Sequence, residues 1–293
     1  MNKRFVFAAV IFFISLLAIV SLKAVQLYRN YTFQHSLKND IEKQALSFKT
    51  DYSFFVKDLG FWGLESKFKE EERFAAASLI KLPILAAAFK AVSEGKISLN
   101  DAVFIRKEDI TGGSGKLKKY RLPHQLTFKE LLELMITVSD NTAANKVIEL
   151  VELDYINKSF KELGLADTIL VREMMDFSLR SSGVENYTSS RDITHILEKI
   201  YNKTFISEEF SYLALSFLKK QKVNDRLPYY LPKETVVAHK TGLERGVVHD
   251  AGIVFSPAGN YIICILTKNA ASHQGAKKFI AKASLLAYNL YNK

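Results

Sequence analysis

The chain opens on an uncharged run, Phe5 to Leu22, in which only Ser15 and Ser21 are polar. Its 18 residues, at a helical rise of ~1.5 Å each, cover ~27 Å, close to the thickness of a bilayer core. Lys3 and Arg4 precede it, and a positive flank predicts an inside N-terminus with the rest of the chain outside. The rival reading is a cleaved signal peptide, whose apolar stretch is ~7–15 residues followed by small residues at the cut. This run is longer, and Leu22-Lys23-Ala24 is a poor cleavage site. Residues 1–24 therefore read as an anchor in the cell membrane, single-pass with the bulk outside; cleavage would leave a secreted chain instead.

Residues 25–35 read as a short tether. Apolar positions Leu37, Ile41, Ala45 and Leu46 then predict a helix over 36–48. Asp51 to Asp58 and Gly63 to Phe68 read as strands around a turn at Gly60. From Ser78 to about Gln221 the periodicity is helical. Thr127 and Glu130 form a capping box ahead of Phe128 to Val138, and Ser190 and Ser207 are expected N-caps. Strand-like segments return at Glu234–Lys240, His249–Phe255 and Tyr261–Thr267, with Ser256-Pro-Ala-Gly-Asn260 as a turn, before a helix from about Gln274 to Leu290. The expected architecture is an α+β, two-lobe fold. An antiparallel sheet built from both termini (about 36–73 and 233–293) carries flanking helices, and an all-helical lobe (about 74–232) is inserted in the middle. An active site would sit in the crevice between lobe and sheet.

Composition narrows the class. Hydrophobic residues make up 48% and charged residues 25%, the profile of a folded globular chain. The net charge of +10 favours anionic surroundings, but the basic residues are scattered and no zinc-finger or RNA-binding signature is present, so no nucleic-acid partner is expected. Cys264 is the single cysteine and sits in a strand pattern, as a small buried hydrophobe would. The six histidines show no metal-ligand spacing, and no metal or cofactor is expected.

Three short segments carry candidate chemistry. Ser78-Leu-Ile-Lys81 opens an apolar stretch, so on a helix the hydroxyl and the amine share a face. A serine needs a base beside it, and a lysine serves as one only where apolar surroundings lower its pKa. Pro83 suggests a local bend. In Ser139-Asp140-Asn141, between two helical patterns, Ser139 offers a second hydroxyl to relay a proton and Asn141 an amide to hold substrate; Asp140 and Asn141 are also good N-caps. In His239-Lys240-Thr241-Gly242, at an expected strand end, Lys240 and Thr241 suit a substrate carboxylate and Gly242 permits close backbone approach. The segments follow in order, 61 and 101 residues apart counted from their first Ser, Ser and Lys (139 − 78 and 240 − 139). Together Ser-x-x-Lys, Ser-Asp-Asn and Lys-Thr-Gly form one catalytic set.

On these residues, and on Phe74 to Lys81, Val138 to Asn145 and His239 to Gly242 around them, the chain over about 36–293 resembles class A serine β-lactamases and their penicillin-binding relatives. The resemblance implies that Ser78 attacks a lactam or peptide carbonyl, with Lys81 taking its proton and Ser139 passing one to the departing nitrogen. It implies that Lys240 and Thr241 hold the substrate carboxylate and Asn141 a side-chain amide. The oxyanion would lie between the backbone N–H groups of Ser78 and Leu243. One departure matters. The family places its deacylating glutamate two residues beyond an arginine; here Arg172 fits the arginine and Met174 stands at the glutamate's place. Glu173, Asp176 or Glu185 would have to replace it, so acylation is better supported than fast release. The functions implied are a β-lactamase, slowed by the missing glutamate, or a D-alanyl-D-alanine peptidase that β-lactams trap. A non-catalytic β-lactam or peptidoglycan binding module is a third reading, disfavoured because a binder needs neither Lys81 nor Ser139. The partners expected are a small β-lactam or D-Ala-D-Ala-type substrate and, through residues 5–22, the membrane.

Overall fold

Between Lys3 and Phe48 there is neither glycine nor proline, and nothing in the sequence ends a helix there. The computed structural model, which describes residues 3–292, accordingly holds one helix, α1 (Lys3–Phe48). Residues 25–35, expected as a tether, are thus continuous with the expected anchor and with the helix after it. Their polar side chains are spent on the domain: Gln26 Nε2 donates to the Trp62 carbonyl (2.9 Å), and Asn30 Oδ1 accepts from Glu65 N (2.9 Å). From there Phe33, Leu37, Ile41 and Ala45 are buried in one stripe. Leu46, expected on the same face, is 74% exposed, because the stripe steps by four residues and leaves it on the far side.

The chain reverses into β1 (Asp51–Asp58) and β2 (Glu65–Phe68), then β3 (Phe74–Ala75), a 3₁₀ turn at Ala77–Ile80 and α2 (Lys81–Ser93). The lobe that follows is helical except for two short ladders. It comprises β4 (Ala102–Ile105), β5 (His124–Thr127), α3 (Phe128–Thr137), α4 (Asn141–Val151), α5 (Leu153–Glu162), α6 (Phe177–Ser181), β6 (Tyr187–Thr188), α7 (Ser190–Tyr201) and α8 (Glu208–Lys219). β4 pairs with β5, and β3 with β6. Thr127 caps α3 through the expected box. Ser207 caps α8, but the cap of α7 is Ser189, not Ser190; Ser190 instead meets Ser53 Oγ at 2.6 Å, tying α7 to β1.

The chain then returns to the sheet with β7 (Val236–Glu244), β8 (Val247–Ser256) and β9 (Gly259–Lys268), and ends in α9 (His273–Tyr291). The five strands are antiparallel in the order β2-β1-β9-β8-β7, so the sheet is built from both ends of the chain, as the pattern predicts. Successive residues of a strand face opposite sides. On β9, Ile263 and Ile265 meet the stripe of α1 and Phe279 and Ile280 of α9, whereas Ile262, Cys264 and Leu266 meet the helical lobe. β7 is an edge strand, and its free side abuts the 3₁₀ turn that carries Ser78.

Candidate active site

Ser78 lies in the first turn after β3, where backbone N–H groups have no helical partner. Ala77 just before it has φ 44°, and Ser139 has φ 54°. Non-glycine residues in this left-handed region carry strain of order 1–3 kcal/mol each, which surrounding contacts must hold. The contacts are visible. A Cβ on Gly242 would meet the Ala76 carbonyl at 3.4 Å and His249 Cδ2 at 3.2 Å, so β7 lies directly against the turn. His249 Nε2 lies 2.8 Å from the Ala75 carbonyl and donates to it, while Nδ1 accepts from Thr267 N at 3.0 Å. Both ring nitrogens are satisfied by the neutral form alone, and burial pushes the His249 pKa down from 6.5 to about 4. Pro83 falls in the first turn of α2, where its missing N–H removes no helical bond, so it does not bend the helix interior.

Lys81 has no solvent exposure. Burial lowers its pKa from 10.5 to about 7, and the Asp140 carboxylate opposes that shift only in part. Its Nζ lies 2.7 Å from both Asn141 Oδ1 and the Ser139 carbonyl, and 3.3 Å from the hydroxyls of Ser78 and Ser139. A neutral amine has two hydrogens and one lone pair. The two short contacts are to oxygens that only accept, so they take the hydrogens, and the lone pair is left for a hydroxyl proton.

Ser139 and Asn141 come from the connection between α3 and α4. Asp140 fixes that connection: its side chain caps α4 through Ala143 N (3.0 Å) and also accepts from Lys116 N (2.6 Å) and Leu117 N (2.9 Å). Lys240 Nζ lies 3.0 Å from Ser139 Oγ and donates to the Thr241 carbonyl at 2.8 Å. The Ser139 hydroxyl therefore stands between two amines. Burial, then the nearby Lys81 and Arg226 charges, hold the Lys240 pKa well below the usual lysine range. Lys240 and Thr241 do not end their strand as expected; β7 runs on to Glu244, because Gly242 remains paired, opposite His249.

The cleft encloses about 310 Å³ and is lined by Ser78, Asn141 and Leu243 among the expected residues. Of the three candidate deacylating carboxylates only Glu185 lines it. Glu173 is exposed and outside the lining, and Asp176 caps α6 through Leu179 N (3.0 Å). Glu185 in turn is held by two guanidinium groups, Arg172 Nη2 (2.6 Å) and Arg180 Nε (3.3 Å). Met174 does line the cleft, and Asn145 pins its backbone on both sides, accepting from Met174 N (2.8 Å) and donating to its carbonyl (3.1 Å).

Several residues went unnoticed in the sequence. Glu244 joins the arginine network through Arg172 (3.1 Å) and Arg180 (2.7 Å) and so ties β7 to the 171–186 segment. Arg226 is buried with its charge near Lys240, and its Nη1 lies 3.0 Å from Asp225 Oδ1. Neither carries a local signal; only the fold brings them to the site. Among the described residues no group of three His, Cys, Asp or Glu side chains could hold a metal ion.

The family model described as "Beta-lactamase enzyme family" matches residues 36–291. The extended-spectrum β-lactamase PER-1 of Pseudomonas aeruginosa is 27% identical over 74% of this chain and 75% of its own length. A solved β-lactamase of Sphaerobacter thermophilus superposes with a TM-score of 0.80 at 28% identity, covering 86% of this chain and 96% of that one. A variant of PBP-A, solved as its acyl-enzyme complex with penicillin G, superposes with a TM-score of 0.80 at 29% identity, covering 89% and 97%.

Proposed function

The chain belongs to the β-lactamase enzyme family and is a serine β-lactamase-like hydrolase, and from that premise we propose that β-lactams acylate it on Ser78 and leave slowly. The observation that carries the proposal is the position of the Lys81 amine, buried, with its pKa near 7, 3.3 Å from the Ser78 hydroxyl and with both hydrogens engaged elsewhere. Ser78 passes its proton to Lys81 as the oxygen bonds to the lactam carbonyl carbon. The resulting oxyanion is held by the N–H groups of Ser78 and Leu243. Collapse breaks the C–N bond, and the Ser139 hydroxyl, between the two lysines, delivers a proton to the departing nitrogen. Lys240 and Thr241 hold the substrate carboxylate, which restores a proton to Lys240 on binding. Asn141, at the cleft wall, takes the side-chain amide.

Release requires a base to activate water against the ester. Met174 cannot act as one, and both carboxylate oxygens of Glu185 are engaged by guanidinium groups instead of facing a water. Intact mass spectrometry over time after adding a penicillin tests the proposal. A persistent adduct is expected on the native chain and none on Ser78→Ala. Mass returning to the native value as fast as it can be sampled would sink the slow-release reading, and no adduct at all with penicillin left intact would sink acylation.

Met174 and the likeness to PBP-A favour a second reading, a D-alanyl-D-alanine peptidase of cell-wall metabolism that β-lactams trap. Release of D-alanine from a D-Ala-D-Ala-ended peptide would distinguish it. The apolar part of α1, where an 18-residue stretch within Ile11–Phe48 is apolar enough to cross a bilayer, is read as a single membrane span with the catalytic part outside. N-terminal sequencing of the mature, membrane-fractionated protein tests that assignment.

A further inference from the structure

We propose that the β1–β2 turn, Gly60-Phe61-Trp62-Gly63, is a second membrane contact that seats the catalytic domain on the outer surface of the bilayer. This rests on residues 5–22 being a membrane span. The apolar run stops at Leu22, and the first residue of α1 to touch the domain is Gln26, about 6 Å further along the helix. Gln26 is bonded to the Trp62 carbonyl (2.9 Å), and the Arg29 guanidinium lies over the Trp62 ring at 4.2 Å. The turn is thereby fixed beside the helix at the level where the span ends.

Its chemistry suits that level. Phe61 is 70% exposed and packs edge-on against Trp62, with nothing of the domain over it. On the helix alongside, Leu27 and Tyr28 are as exposed as Phe61. Aromatic rings prefer the headgroup region, and Lys23 and Arg29, about 9 Å apart along the helix on either side of Gln26, suit lipid phosphates. Phe61, Leu27 and Tyr28 together present exposed apolar surface beside the helix, which an interface continuous with the span favours. The committed occupant is therefore lipid. The direction of the chain agrees: β1 runs antiparallel to α1, so the β1–β2 turn lies at the membrane end of the sheet and the β1 start at the far end.

Trp62 is the only tryptophan in the chain, so the protein carries its own reporter. The full chain is reconstituted into phosphatidylcholine vesicles with bromine placed near the glycerol end or near the methyl end of the acyl chains. Flotation and Trp62 emission are then read together. The expected result is that protein floats with the vesicles, emission is lost more strongly to the shallow bromines, and the loss shrinks in Phe61→Ser, which still acylates with penicillin at the native rate. Protein that floats with no loss of emission overturns the turn contact and leaves the span standing. Protein that does not float overturns the span reading itself, and this inference with it.

Discussion

At the scale of single residues, the proposed acylation turns on one amine kept free of its proton. Below its folded pKa Lys81 carries the proton and has no lone pair to offer, so acylation by a β-lactam should rise with pH through about 7 and level above it. Stopped-flow acylation across pH checks this, and a flat profile would mean that another group is the base. Lys81→Ala should slow acylation by ~10²-fold or more and remove that rise. Release is a separate matter of one side chain. Met174→Glu places a carboxylate on the cleft wall whose backbone Asn145 already fixes, and the acyl adduct should then decay at least ~10-fold faster. Glu173→Gln, outside the cleft, should change nothing. At this scale most of the cluster that the fold brings together was legible. Ser78, Lys81, Ser139, Asn141 and Lys240 are short-range patterns whose meaning lies in their combination. Glu244, Arg226 and Asn145 were not, because each acts through a partner 72, 14 or 29 residues away (Arg172, Lys240 and Met174), and nothing local marks such a pairing.

At the scale of elements, sequence periodicity located the five strands of the large sheet and most helices, but it missed the short strands β4, β5 and β6 inside the stretch read as helical and misjudged how elements join. The run 25–35 is too polar to look like a core helix, yet it is helical. Its Gln26 and Asn30 are spaced to meet the β1–β2 turn and β2, a reason that exists only once the sheet is present. The Lys-Thr-Gly segment looked like a strand end because glycine usually punctuates. Here Gly242 stays in the ladder and its bareness is used sideways, against Ala76. The link between β8 and the serine turn is His249, and it is sensitive to acid. Its folded pKa of about 4 lies below the unfolded 6.5, so between these values the unfolded chain binds more protons and stability falls as pH falls. The loss across that window is about 3 kcal/mol from this group. Urea midpoints at neutral pH and near pH 4 should differ less in His249→Asn than in the native chain; equal pH sensitivity in both would clear His249 of the effect.

At the scale of the whole molecule, α1 is a structural wall and, in the proposed reading, also a membrane span. Phe33, Leu37 and Ile41 seal one face of the sheet, each worth ~1.5–3 kcal/mol of burial, against a total stability of ~5–15 kcal/mol for a typical domain. A chain starting at Lys23 should keep its thermal midpoint and its penicillin labelling in the absence of lipid. A chain starting at Lys49 should not fold; calorimetry on both decides it, and a cooperative transition in the shorter one would show the wall to be dispensable.

On the proposed reading of residues 5–22 as a membrane span, the unbroken helix also governs where this protein can work. Phe55, Cys264, Ala251 and Lys240 lie in one row across the sheet, three residues beyond Asp58 and the turn, or about 10 Å at strand rise. No swivel separates that row from the embedded segment. The reactive serine is therefore carried at a fixed altitude, free to wander laterally with its lipids but unable to reach outward. Polymer strands deeper in an envelope are beyond its grasp however good the chemistry, while anything assembled or arriving at the lipid face passes within range. Two glycines in place of Lys23 and Ala24 would cut this coupling between geography and reactivity without touching a single group in the cleft.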